Sequence, residues 1–449
     1  MNIWKQKSKI ILTCPWGVSR YLKAEIESLG FAILKEIDTA VQIQGTLEDT
    51  LLLNLHLRTA QRVLYQLQEF KAVSPGALYE RIAALPWENI LHSSGAKAYI
   101  CITSHADNAL VTDSRFINVK VKDAIVDRLR DHIGSRPDSG PDKDKAVIHV
   151  YWREDRAVVY IDTSGERLSL RGYRKIPWRA PLSEILAAAL VAACDWRGRG
   201  TFVNPMCGSG TLAIEAALMA LQRAPGLSRN NYGFMYILGY SAEYWQELRK
   251  KAHQLARKKF PVKIIATDID EAAVHAARLN AQTAGVGRQI EFLVCPYEKT
   301  PLPAGGGVIL VNPPYGERLE AGKSKSGSWD QKKEVAPGKQ IIIRKASARS
   351  HQNAEAEASC RLEALYGGIG DFFKNNGGGY RGYIFTGNPE MIKKVGLRTK
   401  RRLTFYNGEI ECRLLEYELY AGSRKKPASS AKEAYIAEAA EKNNKEKLN

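Results

Sequence analysis

The 449 residues, 45% of them hydrophobic, suffice for a large core and two or three folded units. Their apolar runs are too short or too interrupted to span a bilayer as helices, which argues against a helical membrane protein. Lys and Arg number 66 against 48 Asp and Glu, a formal net charge of +18 that favours encounter with a polyanion without choosing its sequence. The seven cysteines show no CxxC or Cys/His ligand spacing, and residues 1–9 are basic and followed by only three apolar residues, too few for a signal-peptide core. A reduced, cytoplasmic compartment and no metal site are therefore expected.

In chain order, the apolar run 10–12 reads as a strand, 19–29 as an amphipathic helix and 41–45 as an alternating strand. This β-α-β pattern predicts a small α+β layer over residues 1–62. Residues 63–165 follow with a helix at 75–84, a strand at 97–103, an amphipathic helix at 118–129 and two paired strands at 146–152 and 157–162. Lys120, Lys122, Arg128 and Arg130 cannot all lie on the buried side of that helix. They face either phosphates or plain solvent.

A connecting segment then carries Arg171-Gly172-Tyr173-Arg174 into Ala180-Pro181-Leu182-Ser183-Glu184 and an apolar helix at 185–193, with proline at the helix start. Arg171 and Arg174 are candidates for RNA contacts or for structural hydrogen bonds. Beyond it, residues 166–422 alternate strand and helix: 201–203, 212–221, 264–267, 272–281, 290–293, 308–311, 362–373 and 382–386, then strands near 402–405 and 413–420. The pattern is that of a doubly wound, mainly parallel sheet closed by antiparallel strands, with ligands at the carboxyl ends of its first four strands. Residues 320–360, rich in Lys, Ser, Gly and Ala, read as a flexible insertion beside the second site below, and 423–449 as a charged tail.

Two sites stand at predicted strand ends. In Asn204-Pro205-Met206-Cys207-Gly208-Ser209-Gly210-Thr211, the glycines allow a tight turn and close approach of a ligand to the backbone, and the helix start that follows can receive an anionic group. Ala213 stands where the third glycine of a dinucleotide fingerprint would fall. The apolar strand 264–267 then ends in Asp268-Ile269-Asp270; a carboxylate there can accept both hydroxyls of a ribose, and Asp270 can cap the next helix. Cys207 reads as packing rather than as a nucleophile.

The second site is Asn312-Pro313-Pro314-Tyr315, directly after the run 308–311. The motif suits a flat ring bearing an exocyclic amine; a conjugated amine is a poor nucleophile, so any reaction at it depends on alignment and preorganised acceptors. The Asn312 side-chain oxygen and the Pro313 carbonyl can take the two amine hydrogens, Pro314 fixes the turn, and Tyr315 offers a face to a ring. Such a site needs an unpaired or flipped base.

These motifs resemble those of the class I S-adenosylmethionine-dependent methyltransferases. More closely, the chain resembles the bacterial THUMP-domain-containing enzymes that act on guanine N2 of 23S ribosomal RNA. The resemblance implies a Rossmann-like α/β catalytic sheet behind an N-terminal α+β ferredoxin-like module, with a linking helix over 54–63, and a THUMP RNA-binding domain. It implies S-adenosylmethionine held by Asn204, Pro205, Met206, Gly208, Ser209, Gly210, Thr211, Asp268, Ile269 and Pro296, and RNA contacted through Lys120, Lys122, Arg171, Arg174 and Arg318. Arg318 would either hold its loop through a carboxylate or touch a phosphate. The chain departs from the pattern twice: Asn204 stands for the usual aspartate, and Cys295-Pro296 for the usual acidic contact to the adenine amine. Alternatives are tRNA guanine-N2 methylation, glutamine-N5 methylation, which shares the Asn-Pro-Pro-Tyr motif, and an inactive RNA-binding assembly factor.

Overall fold

The computed structural model describes residues 2–108, 111, 113–178, 181–316 and 348–420, whose strands form an eight-stranded and a seven-stranded sheet. The first sheet contains β1 (Lys7–Thr13), β2 (Ile33–Ile37), β3 (Ala40–Thr46), β4 (Arg62–Lys71), β5 (Tyr99–Asp107), β6 (Asp138–Ser139), β7 (Ala146–Arg153) and β8 (Arg156–Asp162), in the order β2-β3-β1-β4-β8-β7-β5-β6. Helices α1 (Ser19–Ser28), α2 (Asp49–His56), α3 (Pro75–Ala83) and α4 (Ser114–Ile133) accompany it.

The linking helix expected over 54–63 is shorter and earlier. It stops at His56, Leu57 is extended, and Arg62 already begins β4. Val63, Leu64 and Tyr65 are buried, and their backbone pairs with β1 on one side and, from Leu64, with β8 on the other. Branched and aromatic residues flanked by two strands satisfy their backbone in a ladder, which overrides the helical reading. The two N-terminal modules thus share one continuous sheet.

The second sheet holds β9 (Thr201–Pro205), β10 (Ile264–Asp268), β11 (Ile290–Val294), β12 (Gly307–Val311), β13 (Tyr380–Thr386), β14 (Arg401–Asn407) and β15 (Ile410–Glu418), ordered β11-β10-β9-β12-β13-β15-β14. The first five neighbours run parallel, and β15 and β14 close the sheet antiparallel. The connections are α5 (Glu184–Ala193), α6 (Thr211–Ala220), α7 (Ala242–Leu255), α8 (Glu271–Thr283), α9 (Ala348–Asn376) and α10 (Met391–Lys394). Every residue of β9 is buried, as expected of a central parallel strand covered on both faces. Because β9 is followed on one side by β10 and on the other by β12, the strand order reverses there, and the loops leaving β9 and β12 flank the crevice where open α/β sheets bind ligands.

The insertion expected over 320–360 is corrected at its far end. Residues 348–360 already belong to α9, whose Ala, Arg, Gln and Glu are strong helix formers and lead without a break into the buried Leu362, Tyr366 and Ile369. Residues 320–347 and the tail 423–449 lie outside the described residues. The N-terminal module docks on the loops around the second sheet through Trp4, whose Nε1 donates to the Leu238 carbonyl at 2.6 Å, and Arg58, which donates to the Arg223 carbonyl at 2.7 Å. Tyr21 stacks on Phe405 with ring centroids 6.0 Å apart. No described helix is long and apolar enough to cross a membrane.

Candidate functional site

The loop leaving β9 turns in a way the sequence encodes at three residues. Met206, Gly208 and Gly210 all take left-handed φ, of 54°, 53° and 81°. A Cβ on Gly210 would lie 2.9 Å from the Cβ of Ala277, so only glycine lets the loop rest on α8, whereas a Cβ on Gly208 would point into open space. Met206 carries a side chain in that conformation, a strain that structures retain chiefly where geometry serves function. The Cys207 amide donates to the Thr267 carbonyl at 2.9 Å, and burial pushes the Cys207 thiol well above its ordinary range, in keeping with packing rather than nucleophilic chemistry.

Asp268 closes β10 facing this loop. Its Oδ2 accepts from the Gly208 amide at 2.9 Å and its Oδ1 from the Asp270 amide at 3.1 Å, while Asp270 caps α8 by accepting from the Ala272 amide at 2.9 Å. A carboxylate offers about four acceptor sites, so two remain for hydroxyls. Beside it Ile269 is 73% exposed, an unusual amount for isoleucine, and Val294 at the end of the neighbouring β11 is 50% exposed. A carboxylate flanked by open apolar side chains can hold a ribose and cover a flat heterocycle. Ser209 and Thr211 are buried, their hydroxyls 3.5 Å apart, and Pro205 is buried in β9; Pro296 is half-buried at the turn after β11.

Asn204 points elsewhere than a free ligand group would. Its Nδ2 donates to the Leu310 carbonyl of β12 at 2.9 Å, and its Oδ1, buried, has no hydrogen-bond partner. Buried acceptors are rarely left unmade, so this oxygen is available to a cationic group.

Two residues beyond Leu310, Asn312 leaves β12. The ladder pairs Ile309 with Val203 and stops there; Asn312 is the first residue past the end of β12 and Met206 the first past the end of β9. The Asn312 Oδ1 is likewise buried without a partner. Pro313 is buried and Pro314 exposed, with its carbonyl 3.4 Å from the Tyr366 hydroxyl. The Tyr315 ring lies against Gly387, where a Cβ would stand 3.1 Å from it, and its hydroxyl accepts from Asn407 Nδ2 at 2.8 Å. Asn388 Nδ2 approaches the Tyr315 carbonyl at 3.4 Å.

Two expected RNA contacts are corrected. Arg171 is 2% exposed, its Nε 2.9 Å from the Glu215 carboxylate and its Nη2 donating to the Arg58 carbonyl at 2.7 Å. Arg174 donates to the Leu182 carbonyl at 2.6 Å and to the Thr211 hydroxyl at 3.2 Å, and lies 3.3 Å from Glu184. Both are committed to the joint of the connecting segment with α5 and α6, each guanidinium beside a carboxylate, Glu215 or Glu184, that offsets the cost of taking its charge out of water. Lys120 sits over the Tyr79 ring at 4.9 Å and Lys122 pairs with Asp123 at 2.9 Å, both half-exposed and able to reach an anion. Arg318 lies outside the described residues.

Sequence reasoning missed Asn280. This buried α8 residue accepts from the Lys175 and Ile176 amides at 2.9 and 3.1 Å, and donates to the carbonyls of Ile176 at 2.9 Å and Ser209 at 3.2 Å. It fastens the connecting segment to the glycine loop. Its signal was an amide on the face lined by Ala273, Ala276 and Ala277, where a polar residue must satisfy itself locally. Glu215, Asn388 and Asn407 were missed as well, since each partner is distant in sequence.

The chain matches the family model of the RMKL-like methyltransferase domain over residues 171–331, that of the RlmL ferredoxin-like domain over 9–64 and that of the THUMP domain over 74–162. It is 34% identical over 423 residues to "Ribosomal RNA large subunit methyltransferase K/L" of Syntrophotalea carbinolica, an alignment covering 92% of this chain and 53% of that protein. The chain spans about half the length of the curated relatives it matches. Among solved structures it resembles a possible methylase from Clostridium difficile 630, with TM-score 0.75, 28% identity and coverage of 94% and 100% of the two chains. It also resembles SMU.472, a putative methyltransferase complexed with SAH, with TM-score 0.74, 26% identity and coverage of 94% and 100%.

Proposed function

We propose that the chain is a member of the THUMP-domain-containing family of the ribosomal RNA large subunit methyltransferases K/L, to which it is similar, and that it transfers a methyl group from S-adenosylmethionine to the exocyclic N2 amine of guanine in 23S ribosomal RNA. The observation that carries this reading is the buried, partnerless Oδ1 of Asn312, at the end of a strand laddered to the one that ends in the glycine loop.

The residues present suit the cofactor. Asp268 would take the ribose hydroxyls, Ile269 and Pro296 would cover the adenine, and the orphaned Asn204 oxygen would receive the methionyl ammonium as a neutral acceptor in place of the usual carboxylate. Gly208 leaves the backbone open to close approach and Gly210 lets the loop rest on α8, with Met206, Pro205, Ser209 and Thr211 shaping the loop. When bound, the cofactor supplies a methyl group on a sulfonium, so little activation beyond alignment is required.

Asn312 Oδ1 and the Pro313 carbonyl would then hold the two amine hydrogens, directing the nitrogen lone pair and favouring the positive charge that builds on it. Tyr315, fixed by Asn407, would present its ring to the base, which must be unpaired to enter. Lys120 and Lys122 on α4 would meet the phosphates, and the cytoplasm is the compartment where such a substrate is found. The test is nucleoside mass mapping of 23S ribosomal RNA and tRNA treated with the full chain and S-adenosylmethionine. N2-methylguanine in 23S RNA is expected; a mark confined to tRNA, or none on either, overturns the assignment.

A further inference from the structure

The β1–α1 turn of the N-terminal module reaches the catalytic sheet at its edge strand β14. A Cβ on Gly17 would lie 2.4 Å from the Thr404 carbonyl, so the turn is seated directly on that strand. The residue before it, Trp16, is 42% exposed and meets Tyr406 edge to face, with centroids 5.1 Å apart and planes at 70°. Tyr406 adjoins Asn407, the residue whose amide holds the Tyr315 hydroxyl. Consecutive on β14, Tyr406 and Asn407 point to opposite faces, so the Trp16–Tyr406 pair lies one residue along the strand from the support of Tyr315, on the other side of the hairpin.

A single exposed tryptophan is ordinary on a protein surface. This one stands apart in its surroundings. Three arginines lie near: Arg20, over the Tyr21 ring at 4.8 Å, on α1; Arg402, on the Tyr406 face of β14; and Arg413, opposite Thr404 across the hairpin, while Glu411, opposite Tyr406, lies 3.3 Å from Arg413 and offsets one of the three charges. Exposed π faces interleaved with guanidinium groups match unpaired polynucleotide, in which every base has a face to stack and every link a negative charge.

We propose that Trp16 and Tyr406 form a stacking platform for unpaired RNA nucleotides that flank the base held at Asn312. The proposal rests on the function argued above, and it gives the N-terminal module a direct part in presenting the substrate strand. A platform split between two modules also reads their junction, so a strand engages it only when both are in place.

The test uses the full chain and two labelled hairpin oligoribonucleotides with the same unpaired guanine, one with unpaired nucleotides on both sides of it and one with paired flanks. Trp16→Leu is expected to weaken binding of the first by about five- to 150-fold, the range of one or more lost stacking contacts, and to leave the second nearly unchanged. Trp16→Phe should restore most of the loss, because it returns a π face, while S-adenosylmethionine affinity stays constant in both variants. Equal affinity of wild type and Trp16→Leu for the flanked hairpin overturns the proposal, as does an equal loss on both hairpins or a Trp16→Phe variant that binds no better than Trp16→Leu. A wild-type chain that binds the flanked hairpin through Trp16 but methylates no guanine would instead overturn the functional reading and leave the platform standing.

Discussion

The Asn204 side-chain amide donates to the Leu310 carbonyl at 2.9 Å, which ties the strand that opens into the glycine loop to the strand that ends in Asn312. The two sites thus stand on one rigid scaffold, and their separation is set by packing rather than by loops. Asn312 itself bonds nothing through Oδ1, so removing it should cost the fold little and the reaction much. Asn312→Ala is expected to lower the single-turnover rate about 10²–10³-fold, the usual cost of a lost preorganised charge-stabilising group. Its melting temperature and cofactor dissociation constant should stay near wild type. A variant that turns over normally would remove Asn312 from the chemistry.

Asp268→Ala should show the opposite split. The carboxylate is expected to bind the ribose while its Oδ2 steadies Gly208, so its loss acts on binding before it acts on rate. Calorimetry should show cofactor affinity reduced by roughly ten- to 150-fold, about 1.5–3 kcal/mol for hydrogen bonds to a charged group. The rate at saturating cofactor should fall far less. An unchanged dissociation constant would reject the ribose assignment.

How much of this could be read in the sequence varied with the range of the interaction. The strands of the second sheet, the glycine loop and the place of Asn312 at a strand end were legible because strand periodicity and glycine chemistry are local. β4 was misread, since nothing within residues 54–63 reveals that strands on both sides will compete for its backbone. Arg171 and Arg174 were misassigned as RNA contacts for a related reason. A basic residue looks the same in sequence whether it faces phosphate or a carboxylate contributed from α6. The Asn204 substitution became interpretable only once Leu310 was found opposite it.

The pair formed by Arg171 and Glu215 makes a stability prediction. Burial by itself would lower the Arg171 pKa, yet Glu215, Tyr173 and Glu184 around it hold it above its ordinary value, so the guanidinium stays charged and depends on that carboxylate. Glu215→Leu strands a buried cation and should destabilise the protein by about 3–5 kcal/mol in denaturant unfolding. The double change Arg171→Met with Glu215→Leu should recover much of that loss, because no lone charge remains. If the single variant unfolds like wild type, the pair contributes no specific support to the joint.

His149 sets a pH dependence in the N-terminal sheet. Burial, followed by the charges of Arg62, His105 and Lys143, pushes its pKa down from 6.5 to about 4, and its Nδ1 lies 2.9 Å from the Thr103 hydroxyl. The unfolded chain therefore binds this proton more readily than the folded one. The associated stability is complete above about pH 6.5 and is lost as the pH falls toward about 4. At 1.36 kcal/mol per unit, the full swing is of order 3 kcal/mol. Urea unfolding of wild type between pH 7 and 4.5 should show a steeper loss of stability than His149→Gln, which has no proton to gain there. Parallel slopes for the two proteins would mean that His149 stays accessible to protons in the folded state and that other groups set the acid limit.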